Sequence, residues 1–342
     1  MPLSRFTGLP LADRAVLLAA ELWIALRAPR LMVNSWRRAR AQGFRPFHAL
    51  PLAGDEKFLW RKVVDRDPLH VTLSDKLAAR DWVAAQGLDL PPQPQVLWQG
   101  ERAEDLPRAL LTPDAVVKVN HNSGGVHLVR EDGADPELIA QRIAGWLSDD
   151  FGRANGEWGY LAIPRRVFVE RRVGRPGVPL EDWKVYAFAG RIARVVRIDP
   201  QSRPRAGQAY EADETGRLRL LDTPPGVCRV VKKGPPSPRL DEMLHAARAL
   251  SRSLDHVRVD FLADDRDVWL GELTLYSEGG KFAGKGYDPE APLSRAWDIR
   301  DAGALRRPAG GLAWRIYARS LARALDLADG TRGAGRAGEL GP

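Results

Sequence analysis

Residues 257–276 read VRVDFLADDRDVWLGELTLY, and this stretch decides how the chain is to be folded. Two runs with apolar residues at every second position flank residues 263–267, which is the pattern of a β-hairpin. In the first run Val257, Val259 and Phe261 take one face, while Arg258 and Asp260 take the other. In the second, Val268, Leu270, Glu272 and Thr274 share a face. Each run therefore carries a carboxylate where a core strand would hold an apolar residue.

A symmetric five-residue loop sets Asp260 opposite Leu270 and makes Glu272 its diagonal neighbour, with Cα atoms roughly 7 to 8 Å apart. Two carboxylates so placed can converge on one hard cation with oxygens at about 2.1 Å, a spacing that suits magnesium. A register shifted by one residue turns Asp260 away from Glu272. For acids on antiparallel strands a solvated face with nothing bound is the commoner arrangement, so the hairpin alone leaves both readings open.

The chain of 342 residues is 44% hydrophobic and 28% charged, a globular composition with room for two or three subdomains. Its single cysteine, Cys228, excludes a disulfide framework and a cysteine-based zinc cluster, and suits the cytoplasm. A net charge of +8 favours acidic partners without choosing among nucleotides, anionic glycans, nucleic acid and membrane surfaces. No apolar run reaches the roughly 18 residues of a membrane span.

Residues 11–28, LADRAVLLAAELWIALRA, predict a helix with a narrow polar stripe of Asp13 or Arg14, Glu21 and Arg27. So wide an apolar face needs cover. Packing within the protein is the commoner cover; a membrane interface is the alternative, with Arg27, Arg30, Arg37, Arg38 and Arg40 nearby. Ser74 is read as the N-cap of a helix ending at Gly87, and LPPQPQ as a linker into a strand near 96–98. Residues 115–120, AVVKVN, put Lys118 and Asn120 off the apolar face, and HNSGG follows. Strand, glycine turn, strand lets backbone amides approach phosphate oxygens, although most such turns only reverse the chain.

Further on, the pattern predicts a helix over 135–147, a strand over 165–171 bearing Glu170, and a hairpin of 183–188 with 192–198 bearing Lys184. Residues 199–216 read as a mobile loop, and a helix from Ser237 leads into the opening hairpin. GGKFAGKG at 279–286 nearly matches a P-loop but has Gly286 where a hydroxyl is needed and Pro289 and Pro292 where a helix is needed, so it is a glycine-rich loop. A last helix is expected over about 313–328.

In this order, DEKFLWRKVVDRDPLHVTLSDKLAARDWV, VVKVNHNSGG, FVERRVG, DWKVYAF and VRVDFL with WLGELTLYSEGGKF resemble the ATP-grasp superfamily, and within it the TupA-like branch named for teichuronopeptide biosynthesis. The resemblance implies an α+β fold, with two lobes of mainly antiparallel sheet enclosing ATP. The expected division is an N-terminal helical extension (1–45), an N-terminal subdomain (46–112), the small lobe (113–173), the large lobe with the hairpin (174–328) and a disordered tail (329–342).

It also implies site roles. Lys118 and Lys184 would contact phosphates, and the loop of Ser123, Gly124 and Gly125 would close over them. The backbone at Val169, Glu170, Arg171 and Arg172 would hold the adenine, with Glu170 near the base or ribose. Asp260 and Glu272 would bind Mg2+, and Thr274 stands where many ATP-grasp enzymes have an asparagine ligand. Arg258 would hold the transferred phosphoryl group or the acceptor acid.

The function so implied is an ATP-dependent carboxylate–amine ligase working through an acyl phosphate, acting in bacterial cell-surface polysaccharide or glycoconjugate biosynthesis. Its partners would be an acidic sugar or glycan acceptor and an amine donor, with the basic clusters Arg165, Arg166, Arg171, Arg172 and Arg194, Arg197, Arg203, Arg205 as candidate acceptor contacts. Placement is expected in the cytoplasm, with the inner face of the membrane as an alternative. A sugar or glycan kinase using the same ATP site is the competing enzyme, and a basic glycan-binding protein with a degenerate site is the competing non-enzyme. No aromatic-interleaved basic motif supports nucleic acid.

Overall fold

The computed structural model describes residues 3–129, 135–175, 177–213, 215–224, 226, 228–232, 234–282, 284–306 and 310–339, with backbone alone for 3, 4 and 331–339. Two compact units are formed, Met1–Asp67 with Gly280–Pro342, and Pro68–Gly279. These boundaries differ from those expected: the segments before residue 68 and after residue 279 associate with each other.

The unit Pro68–Gly279 holds both sheets. Strands β1 (Val96–Gly100), β2 (Ala115–Val119), β3 (Val126–Leu128) and β4 (Val167–Arg171) form a four-stranded antiparallel sheet in the order β1-β4-β2-β3. Val117, Val119, Val167 and Val169 point into a core closed by Ile139 and Ile143 of a helix over Pro136–Ser148. Pro136 starts that helix, and Asp135 caps it by accepting from Glu137 N at 2.9 Å.

The second sheet comprises β5 (Glu181–Phe188), β6 (Arg191–Asp199), β7 (Ala206–Ala212), β8 (Leu218–Leu220), β9 (Val230–Val231), β10 (Val257–Ala263) and β11 (Val268–Thr274). Its order is β11-β10-β5-β6-β7-β8, with β9 parallel to β7. The helix Leu240–Ser251 covers one face through Met243, Leu244, Ala247 and Leu250, packed against Trp183, Val185, Val257, Val259 and Phe261. The opposite face of β5 and β10 carries the polar residues.

Part of the expected loop 199–216 is strand β7, which pairs with β6 over its length. Its small residues Ala206, Gly207 and Ala209 give no apolar alternation, so the pairing partner and not the local pattern makes it a strand. Ser74 is the last residue of the helix Leu69–Ser74 and not an N-cap. The chain is extended at Asp75 (ψ 113°), whose carboxylate accepts from Leu77 N at 2.8 Å just before the helix Ala78–Ala85.

In the other unit, α1 (Leu11–Arg27) and α2 (Pro29–Ala41) follow one another, and α3 (Gly54–Val63) is buried on every side. The C-terminal helix Leu312–Glu339 packs on α1 and continues past residue 328, so the backbone of 329–339 is helical where a disordered tail is expected. Residues 340–342 lie outside the described residues.

Candidate active site

Strands β10 and β11 close through the four residues 264–267, with Ala263 opposite Val268, Leu262 opposite Trp269 and Phe261 opposite Leu270. That is one residue away from the symmetric five-residue loop expected, and by itself it would turn Asp260 from Glu272. A β-bulge at Gly271 adds one residue to β11, and beyond it Asp260 faces Glu272 directly and Arg258 faces Thr274. The expected pairing of Asp260 with Leu270 is therefore wrong, while the shared face of the two acids holds. The bulge also divides β11: Leu270 lies in the core and Glu272 and Thr274 lie on the polar face, so the four residues expected on one face are split two and two. Glycine suits the bulge because a Cβ at Gly271 would sit 3.1 Å from the Asp260 carbonyl oxygen.

Asp260 is nearly fully buried and bonded by cations from two strands. Arg258 Nε and Nη2 each donate to it at 2.6 Å, and Lys184 Nζ, directly opposite on β5, donates at 3.3 Å. Burial alone would raise the carboxyl pKa, but Arg258 and Lys184 hold it below the ordinary value. For Lys184 the balance mirrors this: burial lowers, Asp260 raises more, and the ammonium is held above its ordinary pKa. Arg258 Nη2 also donates to Thr274 Oγ1 at 3.2 Å, which in turn donates to Glu272 Oε1 at 3.1 Å. Asp182, two residues before Lys184 on the same face, has its pKa raised by burial.

On the small sheet Lys118 pairs with Glu170, whose other oxygen receives Arg80 Nη1 at 3.5 Å. Glu170 lies opposite Val116, two residues along from Lys118 and on the same face, so the pair is diagonal across β2 and β4. Lys76 belongs to the same site and was not singled out in the sequence. Its Nζ bonds the Asn122 carbonyl next to the glycine turn and lies 4.0 Å from Glu272 Oε2. Burial and the charge of Lys118 lower its pKa against the pull of Glu272. Lys76 thus links the set on the small sheet to the set on the large one. Its signal in the sequence is the lysine after Asp75 in SDKLAAR, a segment that carried the family resemblance without an assigned role.

The turn beside Lys76 is rigid on one side. Asn120 is buried, donating to Asp75 Oδ1 (3.0 Å) and the Pro164 carbonyl (2.9 Å) and accepting from Arg166 N (2.8 Å). Gly125 N donates to Asn122 Oδ1 at 3.1 Å, and a Cβ at Gly125 would come within 2.4 Å of that oxygen. Ser123 and Gly124 are exposed, and Gly124 has φ 91°.

In the stretch expected to hold adenine, Val169 is buried in the small-sheet core, and the N–H groups of Arg171 and Arg172 donate to the carbonyls of Gln95 (2.8 Å) and Asp114 (2.7 Å). Of the basic clusters, Arg197 is clamped by Glu181 at 2.7 and 2.8 Å, Arg194 pairs with Glu211 and Arg165 with Asp150. Arg171, Arg172 and Arg205 are exposed.

The family model for TupA-like ATP-grasp proteins matches residues 56–291. The chain belongs to the TupA-like ATP-grasp family. Membership rests on that match over most of the chain, and the two mainly antiparallel sheets with their helices are the α+β fold it requires. No curated protein matches. Solved structures similar to this TupA-like chain include the ATP-grasp ligase PsnB with a minimal precursor (12% identity, 75% of this chain and 62% of that one, TM-score 0.35). D-alanine–D-alanine ligase from Bacillus anthracis with ATP is another (17%, 73% and 67%, TM-score 0.36). A third is PsnB with precursor, Mg and ADP (14%, 87% and 74%, TM-score 0.35). The chain thus spans 62% and 67% of the length of the first two.

ATP and Mg2+ are the cofactors of the ATP-grasp family. The donor set fits a hard cation: two opposed carboxylates with the Thr274 hydroxyl bonded to Glu272 beside them, all oxygen. Among the described residues no group of three His, Cys, Asp or Glu could enclose a metal by itself. That fits magnesium, which keeps waters and phosphate oxygens alongside one or two carboxylates.

Proposed function

We propose that this TupA-like protein is an ATP-dependent carboxylate–amine ligase of cell-surface polysaccharide or glycoconjugate biosynthesis, working in the cytoplasm or at the inner face of the membrane. The observation that carries this reading is the meeting in one unit of four cationic side chains, Lys76, Lys118, Lys184 and Arg258, with the opposed pair Asp260 and Glu272. A polyanionic phosphate chain supplies the counter-charge that such a set lacks, and Mg2+ held by Asp260 and Glu272, with Thr274 beside them, would neutralise charge on the phosphates.

The three lysines would line the phosphates. The exposed Ser123 and Gly124, hinged on Gly125, would cover them and exclude water. Adenine would lie along 169–172 with Glu170 near the base or ribose. Since the N–H groups of Arg171 and Arg172 are engaged, its backbone partners would be carbonyls or the chain beyond Arg172.

Arg258 would orient the acceptor carboxylate. An oxygen of that carboxylate attacks the γ-phosphorus and ADP leaves; the amine nitrogen then attacks the acyl carbon, phosphate leaves, and the nitrogen gives its proton to water. With Arg194 and Arg197 already paired, Arg171, Arg172 and Arg205 are the better candidates for an acidic glycan.

The test is a screen for ADP release with acidic sugars, glycans and amino acids as acceptors and amines as donors, with product analysis. An amide is the expected product. A phosphate ester would replace the ligase by a kinase, and absence of Mg-ATP binding in calorimetry would favour a non-catalytic glycan binder.

A further inference from the structure

Among the described residues, helix α1 is covered on one side only. Leu17, Ile24 and Asp13 are buried, and Asp13 accepts from Ser320 Oγ of the C-terminal helix at 2.7 Å. On the other side Leu11, Leu18, Leu22 and Leu26 fall within about 80° of one another at 3.6 residues per turn. All four are exposed, Leu22 by 62% and Leu26 by 73%, and Trp23 beside them is 47% exposed with the Arg27 guanidinium over its ring. Internal packing, the expected cover, thus accounts for half of the helix.

The outward face of α2 has the opposite character. Arg30, Val33, Arg37 and Arg40 also lie within about 80° of one another and are exposed, while Met32, Ser35 and Ala39 face inward. Exposed Arg45 follows. Between residues 1 and 54 the only acids are Asp13 and Glu21, and both are turned inward, Glu21 onto His48 Nδ1 (3.0 Å) and Ala49 N (2.7 Å). A leucine stripe with a tryptophan, followed by an arginine stripe with no outward acid, has the two complements of an anionic bilayer: an acyl boundary and a negative headgroup layer. Among the described residues no helix is long and apolar enough to cross a membrane, so contact would be along the surface.

We infer that the outward faces of α1 and α2 dock the protein on an anionic lipid membrane. The partner is identified by charge: a second copy of this chain would bring the same arginine stripe against itself. The inference does not rest on the ATP-site reading, because the residues concerned lie in the other unit.

The experiment is flotation of the full chain with vesicles of phosphatidylcholine alone or equimolar with phosphatidylglycerol. Binding is expected only with phosphatidylglycerol and should weaken as salt is raised. Leu22→Ser with Leu26→Ser should lower partitioning about a hundredfold, and Arg37→Gln with Arg40→Gln at least about tenfold. Both pairs are exposed, so thermal melting should match the parent. Asp260→Asn with Glu272→Gln should float like the parent, which separates this inference from the fate of the ligase reading. Equal flotation of the leucine variant and the parent, or no binding to phosphatidylglycerol vesicles, would overturn it. So would a dimer in sedimentation velocity that the leucine variant abolishes without any vesicle binding.

Discussion

Two pairs of acids invite comparison, the buried Asp55 and Glu56 at the start of α3 and the buried Asp260 with the half-buried Glu272 on β10 and β11. Glu56 is saturated by fixed donors: the backbone N–H groups of Phe47, Leu52 and Ala53 at 2.9–3.0 Å, and Arg5 at 2.9 Å. Burial would raise its pKa, but Arg5 and the backbone donors bring it below the ordinary value. Asp260 has side-chain cations as its partners, and Glu272, with its side chain 37% exposed, has one hydroxyl within hydrogen-bond reach. Backbone donors cannot leave without unfolding the loop that carries them, whereas Lys184 and Lys76 are flexible stems that can exchange a carboxylate for a ligand. Burial alone does not distinguish a structural knot from a site; the origin of the donors does.

The sharpest way to break this comparison is the pair Asp260→Asn with Glu272→Gln. ADP release should fall by about a thousandfold, about 4 kcal/mol in the barrier, while circular dichroism shows the fold kept; equal turnover in parent and variant would remove the metal role. Next, Glu56→Ala should leave Arg5 and three N–H groups without their acceptor and cost on the order of 3 kcal/mol in denaturant unfolding. A smaller loss than for Asp260→Ala would reverse the assignment of knot and site.

Asp55 tests the first pair by pH. Burial raises its pKa to about 6 against the pull of the Phe282 N–H and Arg38. The folded state therefore binds its proton more tightly than the unfolded chain, and this acid should add stability as pH falls from above 6 towards the ordinary carboxylate range, by on the order of 2–3 kcal/mol. Glu56 and Asp260, with depressed pKa values, contribute stability above that range and lose it below. In pH-dependent melting, Asp55→Asn should flatten the curve around pH 6. The smallest effect is expected from Gly271→Ala, about 1 kcal/mol, because the added Cβ requires the Asp260 carbonyl to shift by a few tenths of an ångström. A several-fold loss of activity with that small loss of stability would show that the bulge sets the register of the two acids.

Much of the fold was legible in the chain. Alternation located the Lys184 hairpin and the Asp260 hairpin, the Asp135–Pro136 pair located its helix, and the order of segments pointed to ATP-grasp. Strand β7 was not legible, because its small residues carry no pattern until β6 pairs with them. Helix α3 was not legible either: its Lys57, Arg61 and Lys62 break any apolar stripe and yet are buried, Lys57 by a segment more than 200 residues away, whose Ser294 carbonyl it bonds at 2.7 Å.

For residues 257–276, sequence alone determined that two acids would stand on paired strands, since alternation with period two follows from strand geometry. Which acid faced which was decided by tertiary structure. A four-residue loop moved the register by one and a bulge at Gly271 moved it by one more, and only the sum of the two restores a common face. Neither shift has a signature of its own, because a glycine in a strand and a polar loop are each compatible with several registers.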